Sequence, residues 1–143
     1  MKLNQYINQA RAECLPVSIK GNEIDDVYFR RLSAGEGLQL KEAFSGLLNT
    51  AGSAAASIAK GDAEEAGAEA AAKLSPAQLK ALFEFQALFA FLHLGVKDGS
   101  RAYTDRKAFD DEVPDEFVQA FYQAGSEHKQ KTEPSAKEAE GNS

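Results

Sequence analysis

The chain has 143 residues, 43% of them hydrophobic, a formal net charge of −6 and a single cysteine, Cys14. That length fits one domain, and the acidic balance argues against nucleic acid or an anionic membrane surface as the main partner. A lone cysteine excludes an internal disulfide and a four-cysteine zinc site, and Met1-Lys2-Leu3-Asn4-Gln5 lacks the charged-then-apolar pattern of a signal peptide, so a cytoplasmic protein is expected.

Leu3 to Cys14 reads as a short helix, with Leu3, Tyr6, Ile7 and Ala10 on one side and Asn4, Gln5, Asn8 and Arg11 opposite. Pro16 breaks it. Leu15, Val17 and Ile19 then alternate with Pro16, Ser18 and Lys20, which is strand periodicity. Lys20-Gly21-Asn22-Glu23 is a turn whose loop extends through Asp25-Asp26, and Val27-Tyr28-Phe29 should pair back on the first strand. A lone hairpin is marginal in water, so one face must pack on a helix, and Val17, Ile19, Val27 and Phe29 are the candidates for it. Ser33 with Glu36 forms a Ser-x-x-Glu capping box opening a helix to about Leu48. Its apolar residues are Leu38, Leu40, Phe44, Leu47 and Leu48. Gly35, Gly37 and Gly46 weaken it, each by up to about 1 kcal/mol relative to Ala.

From Asn49 to Lys73 the composition turns to Ala, Gly, Ser and Glu, with Ile58 the only larger apolar side chain. Asp62 and Glu65 make another capping box, but alanine contributes little burial and so short a helix is marginal alone. The segment reads as a flexible or transiently helical connection, or as one that orders on binding a partner. Ser75 to Leu94 follows as the most apolar stretch of the chain. Ser75 caps, Pro76 suits the first helical position, and Gln78 completes a capping box. Leu79, Leu82, Phe83, Phe89 and Leu92 recur at helical spacing, while Phe85, Leu88 and Phe91 fill the other side. The run falls short of the roughly 20 apolar residues a bilayer needs and carries Lys80, Glu84, Gln86 and His93, so it predicts a buried central helix.

Gly95 is placed to end that helix in the left-handed conformation, and Asp98-Gly99 marks a turn. Thr104 and Asp105 start a helical turn over Arg106 to Phe109. Pro114 opens a last helix with Phe117, Val118, Phe121 and Tyr122 as its stripe and Gly125 as its stop. Ser126 to Ser143 lacks aromatic and branched aliphatic residues and is expected to be a disordered polar tail. The fold class expected is α+β, predominantly helical. A small N-terminal β-hairpin packs on a bundle of about four helices around the central apolar helix, in a single domain over 1–125.

No catalytic constellation stands out. A lone His on an apolar face, such as His93, reads as a hydrogen-bonded core residue, and nothing around Cys14 supports a nucleophile–base pair. Asp98-Gly99 lacks the spaced ligands of a calcium loop. The acidic cluster Asp110, Asp111, Glu112, Asp115 and Glu116 falls at a helix start, where negative charge meets the dipole favourably. Ser33-Ala34-Gly35-Glu36-Gly37 lacks the Lys-Ser/Thr ending of a phosphate loop. No enzyme, cofactor or metal site is expected. A small acidic helical protein with an apolar centre suits a binding or assembly role.

Two stretches carry a resemblance. Val27-Tyr28-Phe29-Arg30-Arg31-Leu32-Ser33-Ala34-Gly35-Glu36 enters a helix, and Asp98-Gly99-Ser100-Arg101-Ala102-Tyr103-Thr104-Asp105 follows the central one. In this order they resemble the tail assembly chaperones of long-tailed, non-contractile bacteriophages, whose strand reads Val-x-(aromatic or Val)-Arg-x-Leu-Ser/Thr-Ala-Gly-Glu and whose later turn reads Asp-Gly-x-Arg-x-(aromatic)-Thr/Ser-Asp. The likeness covers Met1 to Phe44 and Leu79 to Gly125. Gly37 departs from the larger polar residue usual there, and the Asn49 to Lys73 connection is longer than expected.

The resemblance implies a non-enzymatic role: binding the helical tape measure protein and keeping it soluble until tail tube subunits polymerise around it. It implies a place in the host bacterial cytoplasm and absence from the mature virion. The family is often also made in a longer, frameshifted form that recruits tail tube protein, and this chain would correspond to the shorter one. A chaperone covers apolar helical stripes reversibly, as helix-in-groove contacts. Some of Phe85, Phe91, Phe117, Phe121 and Tyr122 are therefore expected to be open to a partner or to another copy in a homo-oligomer. The alternatives are a small cytoplasmic adaptor or regulatory subunit unrelated to phage, and a small enzyme using Cys14 or His93.

Overall fold

The computed structural model describes residues 1–8, 11–60 and 74–132. Over these the chain is α+β and predominantly helical, with an N-terminal β region and several helices. Helix α1 (Leu3–Asn8) leads into strands β1 (Ala12–Cys14), β2 (Val17–Ile19), β3 (Asn22–Ile24) and β4 (Tyr28–Arg30). Helix α2 (Ala34–Lys60) comes next, then helix α3 (Pro76–His93), the short strand β5 (Leu94–Gly95), and helices α4 (Arg106–Glu112) and α5 (Asp115–Thr132).

The strands pair differently from the expected single hairpin. β2 pairs with β3 through a two-residue turn at Lys20–Gly21, both at positive φ (52° and 82°). That turn fixes the register Ile19↔Asn22 and uses up β2 before Val27 is reached. β4 instead lies at the centre of a three-stranded antiparallel sheet, flanked by β1 and β5. Ala12–Cys14, predicted as the end of the first helix, is therefore a strand, and Gly95, predicted as a left-handed stop, is a strand residue against Tyr28. The predicted inward face survives the change of pairing. Val17 and Val27 are buried, and Ile19 and Phe29 pack on the core.

The helix starts follow the capping chemistry. Ser33 Oγ accepts from the Glu36 amide at 3.3 Å while the Ser33 amide donates to Glu36 Oε1 at 2.9 Å. Ser75 and Gln78 do the same at 3.2 and 2.8 Å. Asp105 accepts from the Lys107 and Ala108 amides and caps α4. α2 runs past the expected end at Leu48 and kinks at Gly52 (φ 85°, ψ 177°). Asn49 to Lys60 of the Ala-rich connection is thus helical, and 61–73 lies outside the described residues. α5 runs past Gly125 to Thr132, so Ser126 to Thr132, expected in the polar tail, is helical. Residues 133–143 lie outside the described residues.

α3 is the central helix. Phe85 meets Phe44 of α2 and Tyr122 of α5, Phe89 meets Phe29 of β4 and Tyr122, and Phe91 meets Phe109 of α4. Burying each such ring contributes about 1.5–3 kcal/mol. Gln86 is also buried here, and its Oε1 has no hydrogen-bond partner among the described residues. Gly125 is no helix stop. A Cβ there would sit 2.8 Å from Cε2 of Phe29 and 3.1 Å from Cε1 of Phe89, so only Gly lets α5 approach β4 and α3. Gly125→Ala is expected to lower the unfolding free energy by about 1–3 kcal/mol despite alanine's better helix propensity. A urea titration checks the sign, since propensity alone would give a gain.

Candidate functional site

Three helices surround α3 without covering all of it. The side chains of Lys80, Phe83, Glu84, Ala87 and Phe91 fall along one face of the helix. At the C-terminal end of this face α4 closes over Phe91 through Phe109, and the guanidinium groups of Arg101 and Arg106 lie 5.4 and 5.8 Å from the Phe91 ring centre. Nearer the N-terminus nothing equivalent among the described residues covers Phe83, which is 47% exposed. An open groove of about 1050 Å³ lies there, bordered by α2, α3 and α4. Leu47, Leu79, Phe83 and Leu88 give it apolar surface. Lys80, Glu84, Arg106, Asp110 and Asp115 supply its charged lining.

Its cations are held by their own neighbours. Lys80 Nζ lies 4.0 Å from Glu84 Oε1, and Arg106 Nε donates to Asp110 Oδ1 at 3.1 Å. The arrangement offers an anchor ring on an apolar floor with polar margins, the form of a helix-docking groove. A second exposed apolar set, Met1, Leu3, Tyr6 and Ile7, lies on or beside α1. There the Tyr6 hydroxyl accepts from Arg31 Nη2 at 2.7 Å, and the Arg31 guanidinium lies 4.9 Å from the Tyr6 ring centre.

The residues expected to face a partner are mostly elsewhere. Phe85, Phe91, Phe121 and Tyr122 are buried in the core. Phe117 is half-buried and stacks on Phe121 with ring centres 5.9 Å apart. These are corrections with one cause. Phe44 of α2 and Tyr122 of α5 close on Phe85, Phe109 of α4 closes on Phe91, and Phe29 of β4 meets Phe121, so the covering rings come from elements whose packing no local pattern reveals. The uncovered part is at Phe83. Its signal was in the sequence, because Lys80 and Glu84 flank it on the same face of the helix and mark that face as solvated.

The two stretches that carry the family resemblance meet in one cluster. Arg30 of β4 donates from Nη1 and Nη2 to the Glu36 carboxylate at 2.8 and 3.2 Å, from Nη1 to the Leu92 carbonyl at 2.8 Å, and from Nε to the Gly99 carbonyl at 3.0 Å. Arg101 Nε donates to Glu36 Oε2 at 2.8 Å. Burial by itself pushes the Glu36 carboxyl up. Hydrogen bonds from Arg30 and Ser33, with the Arg30 charge, more than reverse this and hold it at about 2. Gly99 has φ 91°, and a Cβ there would lie 2.3 Å from Cβ of Arg11. The cluster ties β4, the start of α2, the end of α3 and the following turn together.

The described residues hold no cluster of three or more His, Cys, Asp or Glu that could bind a metal ion. None of their helices is long and apolar enough to cross a membrane. No family model, curated protein or solved structure matches the chain.

Proposed function

We propose that this chain is a non-enzymatic assembly chaperone of a long-tailed, non-contractile phage or prophage, which binds the tape measure protein and keeps it soluble while the tail tube polymerises. The observation that carries this reading is the open apolar groove beside Phe83, where the described residues leave α3 uncovered. A tape measure protein is long and helical and exposes apolar stripes, and a groove of this kind covers such a stripe without chemistry. The joining of the two motif stretches through Arg30, Glu36 and Arg101 supports the family likeness, since it gives a structural reason for their occurring together. The same reading places the protein in the bacterial cytoplasm and leaves it out of the finished virion. It also allows tail tube protein as a second partner through a longer, frameshifted form.

Co-expression tests it. With this chain present, a phage tape measure protein is expected to be soluble and full-length and to co-purify with the chain. A tape measure protein equally soluble and intact without the chain would overturn the reading.

A further inference from the structure

We infer that the groove beside Phe83 selects an amphipathic helix whose apolar stripe is flanked by basic residues. The inference rests on the proposal that the groove takes a partner helix, and adds the chemistry of that helix. The stretch of α3 from Lys80 to Leu88 spans about 12 Å, which matches two turns of a docked helix. Such a helix would present side chains at i, i+3 or i+4, and i+7 to Phe83 and its neighbours.

The lining carries three carboxylates, Glu84, Asp110 and Asp115, against two cations. Lys80 and Arg106 are its cations among the described lining residues, and each is already engaged by a carboxylate of its own helix. Asp115 also lines the groove and makes no ion pair among the described residues. Asp111 and Glu112 precede it at the end of α4, outside the lining, and Glu116, which follows it on α5, is paired with Lys20 at 3.0 Å. The N-terminus of α5 contributes only about half a positive charge against the Asp115 carboxylate. A basic flank on the incoming helix would meet the Asp115 carboxylate at this margin, whereas an acidic flank would meet like charge. The whole chain, at −6, biases encounter the same way.

The test uses the full chain and three labelled model helices of about 18 residues with one Leu/Phe stripe and flanks of Lys, Gln or Glu. Fluorescence anisotropy measures their affinities. At low salt the Lys-flanked helix is expected to bind about 10-fold tighter than the Glu-flanked one, and the gap should shrink to about 2-fold near 0.5 M salt. Asp111→Asn with Asp115→Asn should weaken the Lys-flanked helix about 3-fold and leave the Gln-flanked one unchanged. Glu23→Gln with Asp25→Asn, which removes two carboxylates from the β3 region, should change neither. Phe83→Ala should weaken all three by about 10-fold.

Equal affinities for the three helices would overturn the charge preference while leaving helix binding standing. Equal losses from the two acidic pairs would reduce that preference to bulk attraction and overturn its assignment to this margin. Unchanged affinities in Phe83→Ala would move binding off the groove and overturn the inference. Binding of none of the helices would overturn the inference, and the co-expression result would then decide the parent reading by itself.

Discussion

Glu36→Ala is expected to lower the unfolding free energy by about 3–5 kcal/mol, because it leaves the buried Arg30 guanidinium without its anion. The Arg30 and Glu36 side chains are 12% and 9% exposed, and the Arg101 side chain 30%. A surface pair of the same geometry would be worth less than about 1 kcal/mol. Here Glu36 serves three groups at once: two guanidiniums and the Ser33 amide that begins α2. Removing it loses the cap, at about 1 kcal/mol, and strands a charge among backbone carbonyls that satisfy only part of it. Arg101→Met is the contrast. It removes the more exposed cation and keeps the Arg30–Glu36 pair, so a loss near 1 kcal/mol is expected. Urea midpoints at constant m-value measure both. A Glu36→Ala loss no larger than that of Arg101→Met would show that the cluster does not join the two motif stretches energetically.

This residue also shows what the sequence could and could not convey. The capping roles of Ser33 with Glu36 and of Ser75 with Gln78 were legible because the partners lie within one helical turn. The second role of Glu36 was not, since a cap already explains a Glu at that position and Arg101 approaches only through the tertiary fold. Strand pairing failed for a related reason. Val17, Ile19, Val27 and Phe29 were read correctly as inward-facing, because alternation is local, but their partners are set by the Lys20–Gly21 turn and by the approach of α3. Ala12-Glu13-Cys14 has no strand pattern of its own, and pairing with β4 decides its conformation. Gly125 has the sequence signature of a stop because Gly so often ends helices. Its actual constraint, the Phe29 ring, comes from the other end of the chain. In the candidate site, the apolar character of α3 was plain, whereas which of its aromatics stayed open depended on α4 and β4.

Acid is expected to destabilise the fold in two stages, the first set by His93. Its ring is buried and stacked on Phe29 with centres 4.5 Å apart and planes within 5°. Nδ1–H donates to the Phe89 carbonyl at 3.0 Å. Burial holds the imidazole well below its ordinary 6.5, at about 3. The Phe89 hydrogen bond opposes this, Lys129 and Arg30 reinforce it, and Glu36 opposes it. Between those two values the unfolded chain binds a proton that the folded chain refuses, so stability falls as pH falls through the window. At about 1.4 kcal/mol per pH unit, the fall from pH 6.5 to 4.5 is roughly 2–3 kcal/mol. Glu36 has the opposite chemistry and the same direction. Its folded carboxylate is depressed to about 2 from 4.5, so its contribution is complete above 4.5 and is lost as pH falls toward 2. His93→Phe keeps an aromatic ring against Phe29 and removes the first stage alone. Urea unfolding across this range should then give a wild-type curve that declines from pH 6.5 and a His93→Phe curve shallower by the His93 share down to 4.5. Parallel curves would mean that His93 accepts its proton without unfolding and that its pocket admits water.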